Sequence, residues 1–412
     1  MRESLSTPAS ASNAFTLAGW TQTIKRSALQ ELLVIASRPE ILSFALGLPA
    51  AELFPVRQFM EATEQALFAD TRALQYGPPF PMLKQHIVEL MKQRGVACRK
   101  EQIFLTAGAQ QGLNLLTHLL LEPRGQVISE EMIYPGFKQV VDLFQPEILT
   151  VGTDLRDGID VMAVESLLRG GARPAFIYAI SDGHNPLGVS ISQVKRERLV
   201  ELANSFSVPI IEEDPYGFLS YDSNIPPMRA LDERWVFYVG SFSKILAPAL
   251  RLGWLILPEE LISKLSVVKE ASDIDTQTFA QRVVSSFFDM GCLPQHLAAL
   301  RDEYRVRRDT MLAAVERHFP PGTICTKPPS GVFLWVELPA DICAEELLRI
   351  AIETEQVAFL PGNAFCLTRQ PQASHSIRLN FSNCRPELIE EGIRRLTRAM
   401  ELLRVQALCV AG

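Results

Sequence analysis

Lys244 stands in the most chemically specific stretch of the sequence, YVGSFSKILAPALRLGW at 238–254, after serines 241 and 243 and ahead of Pro248 and Arg251. A lysine that attacks a carbonyl to form a Schiff base needs a depressed pKa, which neighbouring cations and partial burial supply. Ser241, Ser243 and Arg251 together would bind a phosphate dianion, with Arg251 offering a planar two-donor contact. A solvated surface lysine is the ordinary alternative, but the hydroxyls, the arginine and the apolar context argue against it. Thirty residues upstream, IIEEDPYGFLSYD (210–222) places three acids at the end of an apolar run. Acids there are usually solvated. Buried under a pyridine ring, however, an ionised Asp214 would keep the ring nitrogen protonated and make the ring an electron sink. Tyr216, two residues further along an extended segment, would point to the same side.

Two weaker segments precede these. In LTAGAQQG (105–112) a strand end runs through a small-residue turn into a helix, so the backbone N–H groups of Gly108, Ala109 and Gln110 would face an anion, helped by the helix dipole. A plain turn reads equally well. In ISDGHNPLGVS (180–190), Asn-Pro-x-Gly is a turn by default. Asn185 there would otherwise donate a hydrogen bond to a phenolate-like oxygen. No cysteine or histidine spacing suits a metal, and neither a P-loop nor a G-x-G-x-x-G after a strand occurs.

The elements that must position these residues alternate between short β-branched or aromatic runs and amphipathic stretches, as in a mostly parallel sheet with crossover helices. Candidate strands are 102–106, 126–130, 147–151, 175–180, 209–214, 236–241 and 253–258. Their near-continuous apolar character suits strands buried on both faces. The candidate site residues fall at strand C-terminal ends, where ligands sit in open α/β sheets. After about residue 260 long helices take over, and alternation returns in GVFLWVEL (331–338) and SIRLNFS (376–382) before a terminal helix. The expected organisation is an N-terminal arm (1–18), a segment packing on the small domain (19–54), a large α/β domain (55–300) and a small α+β domain (301–412).

These motifs resemble the class I/II aminotransferases of fold type I, which depend on pyridoxal 5′-phosphate (PLP). The pattern S-x-S-K-x-x-x-P-x-x-R-x-G is met by Ser241, Ser243, Lys244, Pro248, Arg251 and Gly253; N-P-x-G by Asn185, Pro186 and Gly188; D-x-Y by Asp214 and Tyr216. Asn185 and Asp214 are 29 residues apart, Asp214 and Lys244 are 30 apart, and the resemblance spans nearly the whole chain. The start is most similar to the 2-aminoadipate/kynurenine aminotransferase branch. The resemblance implies that Lys244 carries PLP as a Schiff base and shuttles the proton between Cα and C4′. Asp214 would pair with the pyridine nitrogen, and Asn185 and Tyr216 would bond the ring hydroxyl. It also implies that Tyr134 stacks on the ring, that Gly108, Ala109, Gln110, Ser241, Ser243 and Arg251 bind the phosphate, and that Arg378 clamps the substrate carboxylate. Gly47 would line the substrate pocket, and Tyr76 would reach the site of a second copy in a homodimer.

The sequence departs from the family at several points. Ser181-Asp182-Gly183-His184 stands where Pro-x-x-Gln is usual, Ala109 replaces a common serine, Pro81 a glycine, and Gln30 an arginine frequent in relatives that handle dicarboxylates. Asp182 and His184 read either as an extra acid/base pair or as a satisfied loop. The expected reaction moves the amino group of an α-amino acid to a 2-oxo acid. The alternative is a specialised cyclase, eliminase, replacement enzyme or oxidase of natural-product biosynthesis on the same scaffold, which the altered loop and Gln30 favour. A sensing domain of a transcription regulator is a third reading, disfavoured because no basic winged-helix segment precedes residue 19. A net charge of −7 without charge blocks suggests neither nucleic acid nor membrane partners. Seven dispersed cysteines fit a reducing cytoplasm.

Overall fold

The computed structural model describes Thr16, Thr21 and residues 38–222, 225–367 and 370–411. Gln30 and most of the expected N-terminal arm lie outside the described residues. Seven strands form the main sheet: β1 (Ile103–Thr106), β2 (Gln126–Glu130), β3 (Glu147–Val151), β4 (Pro174–Ile180), β5 (Ile210–Glu213), β6 (Val236–Ser241) and β7 (Gly253–Ile256). Their order is β1-β7-β6-β5-β4-β2-β3. All pairs are parallel except those of β7, which runs antiparallel to both β1 and β6.

Helices on both faces account for the continuous apolar strands. Helix α1 (Ala109–Leu120) and α2 (Pro135–Val141) cover one face with Leu113, Leu116, Phe137 and Val141. On the other face, α3 (Gln193–Phe206) buries Leu199, Leu202 and Ala203. Helix α2 starts with Pro135, whose missing N–H costs nothing in a first turn.

A second sheet joins β8 (Ile324–Cys325), β9 (Phe333–Glu337), β10 (Leu360–Pro361) and β11 (Ser376–Asn380) in the order β8-β9-β11-β10. The long helices α4 (Leu293–His318) and α5 (Pro386–Ala411) accompany it. Leu42–Ser43 pairs in parallel with Val357–Ala358, and Asn380 donates its backbone N–H to Phe44 O, which ties the early chain to this sheet.

The antiparallel β7 refines the expectation of a mostly parallel sheet and has a local consequence. An antiparallel strand begins where its neighbours end. Gly253 therefore lies opposite both Thr106 and Ser241, and Arg251, just before it, reaches the edge where β1 and β6 terminate.

Candidate active site

Between the C-terminal ends of the main sheet and the face of the second sheet lies a cavity of ≈ 280 Å³. Its walls bring together Gly47, Ala109, Gln110, Tyr134, Asn185, Tyr216, Ser241, Ser243, Lys244, Arg251 and Arg378. Residues distributed over more than three hundred positions converge because β1, β4, β5 and β6 all end at one edge, while β11 delivers Arg378 from the opposite side.

At one end, Gly108 caps α1 with φ +86, and a side chain there would meet Arg251 Nη2 at 2.7 Å. The glycine therefore opens the space in which the guanidinium lies against the helix N-terminus. Arg251 donates to Ala107 O (3.0 Å), and Ser241 Oγ accepts from the Ser243 N–H (3.2 Å). The first turn of α1, two hydroxyls and a guanidinium make an anion cradle.

Lys244 Nζ donates to Gly47 O at 2.6 Å. Burial, reinforced by the charges of Arg378 and Arg251, pushes the amine down to about 8, against the pull of Glu213. Gly47 has a steric reason of its own, since a Cβ there would sit 2.6 Å from the Phe333 ring.

Arg378 is 2% exposed and lies between two aromatic faces, 4.0 Å from the Phe333 centroid and 4.7 Å from that of Phe365. It donates to Asn185 Oδ1 (2.6 Å) and to Ala45 O, while its Nε has no partner among the described residues. No carboxylate pairs with it among the described residues, and burial pushes it down to about 9. A guanidinium stays protonated in proteins, so this buried cation lacks its counter-anion. The same contact orients Asn185: an arginine has no acceptor, so the amide must offer its oxygen to Arg378, leaving its N–H groups for the cavity.

Asp214 lies behind the wall. Its Oδ2 accepts from Arg94 (3.1 Å) and Tyr238 (3.0 Å), and its Oδ1 from the Gly217 N–H (2.7 Å). Burial raises its carboxyl above the ordinary value, against the pull of Arg94. Tyr134 and Tyr216 are also raised by burial, Tyr134 to about 12, so both phenols stay protonated. Gly136 leaves room for the Tyr134 ring. Tyr76 is not part of the cavity; it stands on the surface, 83% exposed.

Asp182 and His184 do not line the cavity and do not pair with each other. Asp182 bonds Arg94 and Arg196, and His184 Nε2 lies 3.2 Å from Glu130. Asp182 and His184 are therefore satisfied by other elements, whereas the buried Ser181 Oγ has no partner among the described residues. Several residues near the site carried no sequence signal: Arg94 just past a helix end, Tyr238 within a strand, and Phe333 and Phe365 flanking Arg378. Each looks like ordinary core or surface until folding brings it across the sheet. Glu213, on the cavity wall, is raised to about 7 by burial although the Tyr178 hydroxyl donates to it.

A cradle opened by Gly108, a depressed lysine and a buried guanidinium with no carboxylate partner among the described residues fit a phosphorylated aldehyde and the carboxylate of an amino acid. Comparison with known proteins agrees. The model of the family "Aminotransferase class I and II" matches residues 40–396. The aromatic-amino-acid aminotransferase 1 of Thermococcus litoralis is 35% identical over 92% of this chain and 92% of its own length. The 2-aminoadipate transaminase of Thermus thermophilus is 34% identical over 92% and 94%. The alpha-aminoadipate aminotransferase of that organism, solved with N-(5′-phosphopyridoxyl)-L-leucine, superposes with a TM-score of 0.86 at 32% identity, covering 95% of this chain and 98% of its own. The chain belongs to the class I and II aminotransferases and is a fold type I, PLP-dependent enzyme of that family.

Proposed function

We propose that the enzyme moves the amino group of an α-amino acid with an apolar or aromatic side chain to a 2-oxo acid, with Arg378 gripping the substrate carboxylate. The observation that carries this is the buried Arg378 guanidinium, without a carboxylate among the described residues and sharing a cavity with Lys244. The remaining cations on the wall are Lys244 and Arg251. Lys244 is assigned to the cofactor and Arg251 to its phosphate. A second substrate carboxylate would find no cation left among the described lining residues. Leu46, Leu48 and Phe333 offer apolar surface instead, and one similar enzyme is named for aromatic amino acids.

Bound here, PLP supplies an aldehyde for the amino group and a ring that withdraws electrons. Gly108, Ala109, Gln110, Ser241, Ser243 and Arg251 would hold its phosphate, Tyr134 would stack on its ring, and Asn185 and Tyr216 would donate to its hydroxyl. Asp214, behind the wall, would pair with the ring nitrogen. Lys244 Nζ would hold the cofactor covalently and, once freed, would take the proton from the substrate Cα. Residues 55–300, with the main sheet, would form the cofactor domain, and the described residues of 301–412 and 19–54 the smaller one. The active form is a homodimer in which Tyr76 enters the other copy's cavity, and the six described cysteines, none in a disulfide, suit the cytoplasm.

Transamination leaves the nitrogen on the enzyme after the first half-reaction. Excess aromatic amino acid alone should convert the holoenzyme to its aminated form, and a 2-oxo acid should restore it, with ping-pong kinetics. Repeated turnover of one amino acid with no acceptor would sink this reading. Faster turnover of 2-aminoadipate than of aromatic substrates would sink the side-chain assignment.

A further inference from the structure

Behind Asp214 four buried charged side chains form one cluster. Arg94 Nη2 touches both Asp182 Oδ2 (2.8 Å) and Asp214 Oδ2 (3.1 Å). Arg196 Nη2 bonds Asp182 Oδ1 at 2.8 Å, and the rest of its fork is fixed by the carbonyls of Ser181, Ile191 and Pro226. Arg94 Nη1 is likewise fixed by Gly217 O at 3.0 Å. A side chain at 217 would collide with both the Arg94 guanidinium and the Asp214 carboxylate, so this glycine is what lets the two meet.

The charges sum to zero: two guanidinium groups against two carboxylates. The lone pairs can be counted as well. A carboxylate has roughly four acceptor sites. On Asp214, Arg94 and Tyr238 take both sites of Oδ2 and the Gly217 N–H takes one of Oδ1, which leaves one Oδ1 site among the described contacts. Without Asp182 the cluster would carry a net positive charge beside a carboxylate that must stabilise another cation. Burial works against ionising Asp182, yet Arg196 and Arg94 hold its carboxyl below the ordinary value, so it is charged.

We propose that Asp182 is a positioning residue: by neutralising Arg94 it lets that arginine hold the plane of Asp214 without cancelling its charge, so that the cofactor's ring nitrogen keeps its proton. This rests on the assignment of Asp214 to the ring nitrogen. Arg94 supplies the geometry and Asp182 removes the electrostatic cost of that geometry.

The test is the ¹⁵N chemical shift of ring-labelled PLP in the holoenzyme at one fixed pH, together with cofactor affinity by titration of the cofactor-free protein. Asp182→Asn should move the shift toward the unprotonated position. Arg94→Gln should leave it protonated, and the double variant R94Q/D182N should return it to the wild-type position. A purely structural role predicts damage in the same direction from both single changes. A wild-type shift in D182N, or a double variant no better than D182N, overturns the proposal. If D182N does not fold, the double variant decides alone: a protonated ring nitrogen supports charge balance and an unprotonated one overturns it. Asp214→Asn is the control for the underlying assignment. An unchanged shift there removes the Asp214 reading itself, whereas a moved shift in D214N with none in D182N removes only the role of Asp182.

Discussion

Lys244, half-buried, and Arg378, buried, are both basic groups on the cavity wall, and each is unsettled in a way that function uses. The Lys244 amine is pushed down to about 8 by burial and by Arg378 and Arg251. Only the neutral amine is a nucleophile, so in cofactor-free protein its acylation rate should rise with pH through a midpoint near 8. A midpoint at 10 or above, read by peptide mapping, would contradict this. The unfolded chain keeps that proton to a higher pH, so between about 8 and the ordinary lysine value it binds more protons than the folded chain. This group therefore makes the cofactor-free protein more stable as pH rises through that window. Arg378 bears on the substrate instead. Truncating one partner of a buried charge pair costs about 2–5 kcal/mol, or roughly 30-fold to several thousandfold. Arg378→Ala should lose that much kcat/KM for α-amino acids while leaving the slow reaction of the matching decarboxylated amine unchanged. Equal losses for acid and amine would show that Arg378 does not hold the carboxylate.

Among the strands and helices, the anion cradle depends on how β1, α1 and β7 approach one another. Gly108 turns with positive φ into α1, and its missing side chain is what Arg251 occupies. Gly108→Ala puts a side chain in a positive-φ extended conformation essentially reserved for glycine, a cost of about 1–3 kcal/mol, and displaces the guanidinium. We expect cofactor affinity to fall at least tenfold with the secondary structure intact, measured by titration and circular dichroism. Unchanged affinity would mean that Arg251 does not grip the phosphate. The central strands were legible because β4 and β6 are near-continuous apolar runs buried on both faces. The direction of β7 was not, since GWLILP reads the same whether its neighbours run with it or against it.

For the complete enzyme the question is the second copy. Helix Val56–Ala69 and the segment after it expose Met60, Phe68, Leu74 and Tyr76, and Ile274 is exposed as well. Large apolar side chains exposed in this way would suit an interaction face. If Tyr76 serves the other copy's site, hybrids of Lys244→Ala and Tyr76→Ala chains will contain one intact site, because the Lys244 chain receives the unaltered tyrosine of its mate. Mixing the two inactive variants under subunit exchange should restore activity. No recovery, with hybrids confirmed by native mass spectrometry, would place Tyr76 outside the active site.

The cofactor and the order of its motifs were legible in the chain alone, because Ser-x-Ser-Lys, Asn-Pro-x-Gly and Asp-x-Tyr carry their chemistry within a few residues. Likeness to a family also pointed to Arg378, Gly47 and Tyr134. The partners of Asp182 and His184 emerged only with the folded structure. Arg94, Arg196 and Glu130 come from other elements, and no local spacing encodes a contact across 88 residues such as Arg94 to Asp182. The same holds for Arg378, which has no counter-charge among the described residues. A missing counter-charge is a property of everything packed around a side chain, and it exists only once the chain has folded.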